Sequence, residues 1–156
     1  MRDDRASLAG YRLVMTVYAA LVLATAAAVH LTGRPLPRAM TLREIFTTAV
    51  AAQKLSRLVT KAAVTEPLRA PVARRADDGG PGEVNDEPKA DSGVEKSLSE
   101  LLTCPFCFDV WVVTAMTIGH VFAPRTTRLL VDGLAALAGA DFLHLAYATA
   151  QRVAEG

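Results

Sequence analysis

The chain has few cysteines, few aromatic residues and almost no net charge, and each shortage removes a class of protein. Its two cysteines, Cys104 and Cys107, form one local pair. A single short-range pair cannot staple distant segments, which excludes a secreted disulfide scaffold. Seventeen Lys and Arg face sixteen Asp and Glu for a formal charge of +1, so no bulk basicity argues for nucleic acid. The aromatic residues, 6% of the chain, do not interleave with basic ones as they do in single-strand binders. No stretch alternates apolar and polar residues at the period of a half-buried strand, so no α/β domain is expected.

Apolar sequence is what the chain has in excess. Hydrophobic residues make up 51% of 156 positions, and much of that is Ala, Val and Leu gathered in a few long runs. The first extends from Tyr11 to Thr32 and carries no charge between Arg12 and His30. About 20 such residues cross a hydrocarbon layer of ~30 Å. Arg2, Arg5 and Arg12 precede or open this run and Ala26, Ala27 and Ala28 lie near its end, a combination also found in cleaved signal peptides. The apolar core exceeds a usual signal core and further apolar runs follow, so a retained helix is the favoured reading.

Gly33 to Arg38 is a turn whose prolines cannot continue a helix. In the next segment, Thr41 to Val64, the charge-free part is Ile45 to Gln53, after which Lys54, Arg57 and Lys61 share one helical face. The segment is either a spanning helix with a basic end or an amphipathic helix in the interface, and spanning is favoured because Lys and Arg snorkel from the last turns. Residues 76–96, rich in Asp, Glu, Gly and Pro, read as a flexible solvated linker. Leu98 to Ala123 and Leu129 to Ala150 are further membrane segments, and in the last the pairs Ala135/Gly139 and Ala136/Ala140 suit a close helix–helix face. The expected fold is therefore all-α: one multi-pass membrane bundle over residues 1–156, with three to four helices at about 11–32, 41–64, 98–123 and 127–151.

Basic residues set the orientation. With four spans, twelve basic residues share the side of the middle region and five lie opposite. With three spans the first loop and the N-terminus exchange sides and the tally is unchanged. Either way the polar middle and the start of the third apolar segment face the cytoplasm.

One motif suggests chemistry. Leu101 to Val113 reads LLTCPFCFDVWVV, with Pro105 suited to a first helical turn and Cys104 at the helix N-terminus, where free N–H groups favour negative charge. Such a C-x-x-C arrangement serves thiol–disulfide enzymes, with Cys104 the exposed nucleophile and Cys107 the resolving thiol. It also serves metal sites, but two thiolates supply half of a zinc shell, so zinc requires ligands from a second chain. Structural thiols are the third reading, and no cofactor is expected. Trp111 is an interface anchor. Asp109, Asp132, Asp141 and His144 lie in or near the spans, where ionisable groups are expensive. Asp141 with His144, and Arg128 with Asp132, are spaced to pair on one helix face. Interhelical hydrogen bonding competes with an ion pathway as their role. Thr65 to Pro71 carries two prolines and reads as extended chain at the membrane surface. Arg57, Arg69, Arg74 and Arg75 there face either anionic lipid head groups or water.

Three stretches, KLSRLVTKAAVTEPLRAPV (Lys54 to Val72), ELLTCPFCFDVWVV (Glu100 to Val113) and DFLHLAYA (Asp141 to Ala148), together resemble the domain-of-unknown-function 1360 family. It consists of small bacterial membrane proteins and includes a sporulation-associated member from Bacillus. The resemblance spans roughly residues 40–150 and implies an inner-membrane protein without an established activity. By position the signature residues are Arg57, Thr65, Pro67, Arg69, Cys104, Cys107 and Trp111. The leading functional expectation is a non-enzymatic membrane scaffold, partnered by the bilayer, by another copy or by another membrane protein. A thiol-redox or metal protein and a small transporter subunit using Asp141 and His144 are the alternatives.

Overall fold

A computed structural model describes residues 2–156, with side chains from residue 6 onward. The side chains of Arg2 and Arg5, counted above for orientation, lie outside the described residues. Helix α1 spans Arg2–Thr32 and ends in a Schellman turn: Gly33 takes φ +58°, Gly33 N–H donates to His30 O and Arg34 N–H to Val29 O. Its threonines satisfy their own hydroxyls, since Thr16, Thr25 and Thr32 donate to the carbonyls four residues back.

Helix α2 (Leu42–Thr60) starts at a capping box. The Thr41 hydroxyl accepts from Glu44 N–H, and the Glu44 carboxylate accepts from the Thr41 N–H at 2.9 Å and from Arg38 at 2.8 Å. Thr41→Val removes the hydroxyl half of the box and is expected to cost about 1 kcal/mol in equilibrium unfolding; an unchanged stability would discard the box.

After α2 comes a 3-10 turn, Ala63–Thr65, and one turn of helix, α3 (Glu66–Arg69). Strands β1 (Ala73–Asp78) and β2 (Val84–Pro88) pair antiparallel, with a bulge between Arg75 and Asp77. Helix α4 (Gly93–Thr103) and helix α5 (Pro105–Phe122) meet at Cys104, and helix α6 runs over Pro124–Glu155. Among the described residues, three helical segments are long and apolar enough to cross a membrane, Ala6–Thr32, Pro105–Phe122 and Pro124–Glu155; α2 is not among them.

The contacts fix the helix directions. Tyr11 bonds Glu100, Tyr18 bonds Thr114 at 2.9 Å, and Arg34 reaches Phe122 O at 3.3 Å, so α1 runs parallel to α4 and α5. Ser56 bonds Asp109 while Thr41 and Thr48 lie beside His120, so α2 opposes α5. Lys54 pairs with Asp141, and Thr41 lies beside Arg128, so α6 runs with α2. The start of α1, the hairpin and the end of α6 thus share one end of the bundle, the cap end. The core is small and belongs to three helices: Ala51 and Ala52 of α2, Val112 and Met116 of α5, and Val131 of α6. Helix α1 stands outside it and is held chiefly by α4, where Gly10 lies directly against Gly93 and Ser97.

Four expectations change. Residues 76–96 are structured, because their acidic side chains find partners that composition does not reveal: Arg74 pairs with Glu87 opposite it at 2.7 Å, Asn85 donates to Asp77 at 2.7 Å, and Val84 is fully buried. The all-α description is accordingly approximate, since it omits this hairpin. Thr65 to Pro71 is not extended; Pro67 sits in the first turn of α3, where its missing N–H costs nothing. The small pairs on α6 are half used. Ala135 packs on the core and Ala138 is buried, whereas a Cβ at Gly139 would meet nothing within 4 Å.

Candidate functional site

The polar chemistry gathers at the cap end. Its centre is Arg69, 1% exposed, whose planar fork is filled from three elements. Nε meets Asp86 of β2 at 2.5 Å, Nη1 donates to Val59 O at 2.7 Å and to Thr65 Oγ1 at 2.9 Å, and Nη2 donates to Ala62 O at 3.2 Å. Thr65 in turn donates to Ala62 O at 3.0 Å. These bonds satisfy carbonyls that the end of α2 leaves without intrahelical partners. Arginine suits the position because its five donors lie in one fixed plane. Arg69 is therefore removed from the surface on which head-group contact was expected. Arg57, which donates to Glu83 at 2.9 Å, stays on the surface, as do Arg74 and Arg75, and each is paired with a carboxylate. Asp86 carried no signal in the sequence, being one acid among many.

Cys104 caps α4 and opens α5. Its N–H donates to Glu100 O at 3.1 Å, its φ/ψ of −104/107° is extended, and its Sγ accepts the Cys107 N–H at 3.3 Å. Both thiols are free. Cys107 is the exposed one and Cys104 is half-buried, the reverse of the expected exposure. Among the described residues no cluster of three or more His, Cys, Asp and Glu is placed to hold a metal ion. Trp111 meets Tyr18 of α1 edge-on, with ring centroids 5.3 Å apart, and so joins α1 to α5 as well as lying near the cap end.

Two of the ionisable residues of the apolar segments are tied across helices. Asp141 pairs with Lys54 of α2, a partner that spacing along α6 cannot reveal, and His144 lies beside it in the wall of a cleft. That cleft, about 550 Å³, lies between α2, α6 and the hairpin tip and is also lined by Arg57, Glu83 and Phe142. Asp109 accepts from the fully buried Ser56 at 2.5 Å. Asp132 lies at the other end of the bundle, in a cleft with Arg128 and His120.

With the latch, the hairpin and the thiol turn in place, a comparison with known families is decisive. The family described as "Protein of unknown function (DUF1360)" matches residues 43–147. The chain belongs to the DUF1360 family. The matched stretch includes Arg57, Thr65, Pro67, Arg69, Cys104, Cys107 and Trp111, and so takes in the buried Arg69 cluster and the thiol turn. It takes in the three-helix core and leaves α1 outside. No curated protein and no solved structure matches the chain.

Proposed function

We propose that this DUF1360 protein is a non-enzymatic integral membrane scaffold of the bacterial cytoplasmic membrane, with its cap end in the cytoplasm. The observation that carries the reading is the outward face of the bundle. Leu31, Leu129 and Leu143 are 83%, 74% and 73% exposed, and the most apolar stretch of α1 contains no buried residue. Water does not tolerate apolar faces of that extent on a monomer, whereas lipid does. Hydroxyls on these faces are bonded inside their own helices: Thr117 donates to Val113 O and Thr149 to Leu145 O, as the threonines of α1 do. We read α2 as a fourth crossing. Its 19 residues rise about 28 Å, and Asp141 and Glu83 compensate Lys54 and Arg57. The basic residues of the middle region then lie on the cytoplasmic side, in keeping with the positive-inside rule.

The surface offered to a partner is the hairpin, whose exposed strand faces carry paired charges held by a buried latch. Two measurements test this. A fluorescent reporter at residue 156, and one inserted at Gly80, are expected to fold in the cytoplasm, and a phosphatase reporter after Pro124 is expected to be active outside. The opposite pattern overturns the orientation. A protein copurifying from native membranes is expected to be lost with Arg74→Glu/Glu87→Arg, which changes the face while keeping the pair. Retention of every partner would remove the hairpin from the interaction.

A further inference from the structure

We propose that Cys104 and Cys107 form a reversible dithiol–disulfide site that exchanges an electron pair with a soluble thiol–disulfide couple, with Cys107 as the sulfur through which it is entered. Side chains three apart on a helix are neighbours, about 5–6 Å apart at Cβ, and a disulfide needs about 3.5–4.5 Å. The extended backbone of Cys104 closes the difference, because its Sγ already folds back to 3.3 Å from the Cys107 N–H. Pro105 between them fixes one backbone dihedral of the short loop, so little entropy is lost on closure. The turn stands at the cap end, where the Cys104 N–H donates to Glu100 O and the Glu100 carboxylate accepts from Tyr11.

Exposure assigns the order of events. In reduction, a soluble thiolate attacks Cys107 Sγ, the accessible sulfur, and the S–S bond breaks with its electron pair leaving on Cys104 Sγ. The Cys107 N–H is already directed at that atom and meets the charge as it develops. A second soluble thiolate attacks the outer sulfur of the mixed disulfide and releases Cys107 as thiolate, and both protein sulfurs take protons from water. The protein gains two electrons and two protons, and two soluble thiols become one soluble disulfide. Oxidation is the reverse: Cys107 attacks the soluble disulfide, then Cys104 attacks Cys107 Sγ and expels the second thiolate.

The full-length protein in detergent micelles, equilibrated across reduced and oxidised glutathione and then acid-quenched and alkylated, is expected to show one two-electron transition. Its two species are a doubly alkylated form and an unalkylated form lighter by two hydrogens. If both thiols remain alkylatable in the most oxidising mixture, the site does not exist. With 2-hydroxyethyl disulfide as an uncharged probe, Cys104→Ser is expected to accumulate the adduct on Cys107, and Cys107→Ser to form its adduct on Cys104 about tenfold more slowly. Equal rates in the two variants would overturn the assignment of the entry sulfur. Neither result depends on the scaffold reading, so the two proposals fail separately.

Discussion

Replacing Arg69 with methionine is expected to destabilise the protein by about 3–5 kcal/mol, the largest effect of any single substitution considered. The cost arises from what is left behind. Asp86, 2% exposed at its side chain, would keep a buried carboxylate without its cation, and Val59 O and Ala62 O would each lose the guanidinium donor. Arg69→Lys is expected to recover part of the loss, because an ammonium meets Asp86 but cannot reach three acceptors in one plane. The double substitution Arg69→Met/Asp86→Leu is expected to be markedly more stable than Arg69→Met alone, since removing both charges removes the unpaired one. Equilibrium unfolding in mixed micelles, together with protease cleavage between Ala73 and Pro88, gives the check. If the double variant is no better than the single one, the buried charge is not the source of the cost.

Gly10→Ala is expected to cost about 1–3 kcal/mol and to move α1 off α4. A Cβ there would overlap Ser97 Oγ and lie 2.6 Å from the Gly93 carbonyl oxygen, and a backbone atom cannot rotate away. Because Tyr11 bonds Glu100 one residue on, the shift also breaks that contact. Trp111, the only tryptophan in the chain, reports it, since its edge contact with Tyr18 depends on where α1 lies. Gly133→Ala and Gly139→Ala are the controls. A Cβ at either position meets nothing within 4 Å, and surface changes of that kind stay within about ±0.5 kcal/mol. If Gly10→Ala behaves as they do, with unchanged Trp111 emission, the close crossing of α1 and α4 is wrong.

What could be read from the sequence divides along physical lines. The apolar runs announced α1, α5 and α6 because a charge-free stretch of that length has few other fates, and Pro105 and Pro124 marked helix starts by their missing N–H. The hairpin was not legible. Asp, Gly and Pro in residues 76–96 argue for disorder when counted, and they fold because Arg69, Arg74 and Arg75 stand opposite them in space. At the site, the thiol turn was visible in the spacing of Cys104 and Cys107, whereas their relative exposure depends on how α4 and α5 meet. Lys54 with Asp141 and Ser56 with Asp109 were out of reach for the same reason: each pair joins helices far apart in the chain, and periodicity along one helix says nothing about its neighbour.

The latch also separates two moments in the life of the molecule. Arg69 is synthesised seventeen residues before Asp86, so the nascent chain carries that cation for a time without its partner. Once Asp86 has been synthesised, the same guanidinium is neutralised and sealed from water, and Arg57, Arg74 and Arg75 are matched in turn by Glu83, Glu87 and Asp78. On the proposed orientation, part of the positive charge that would steer insertion is thus matched inside the finished fold, and Arg69 is withdrawn from its surface.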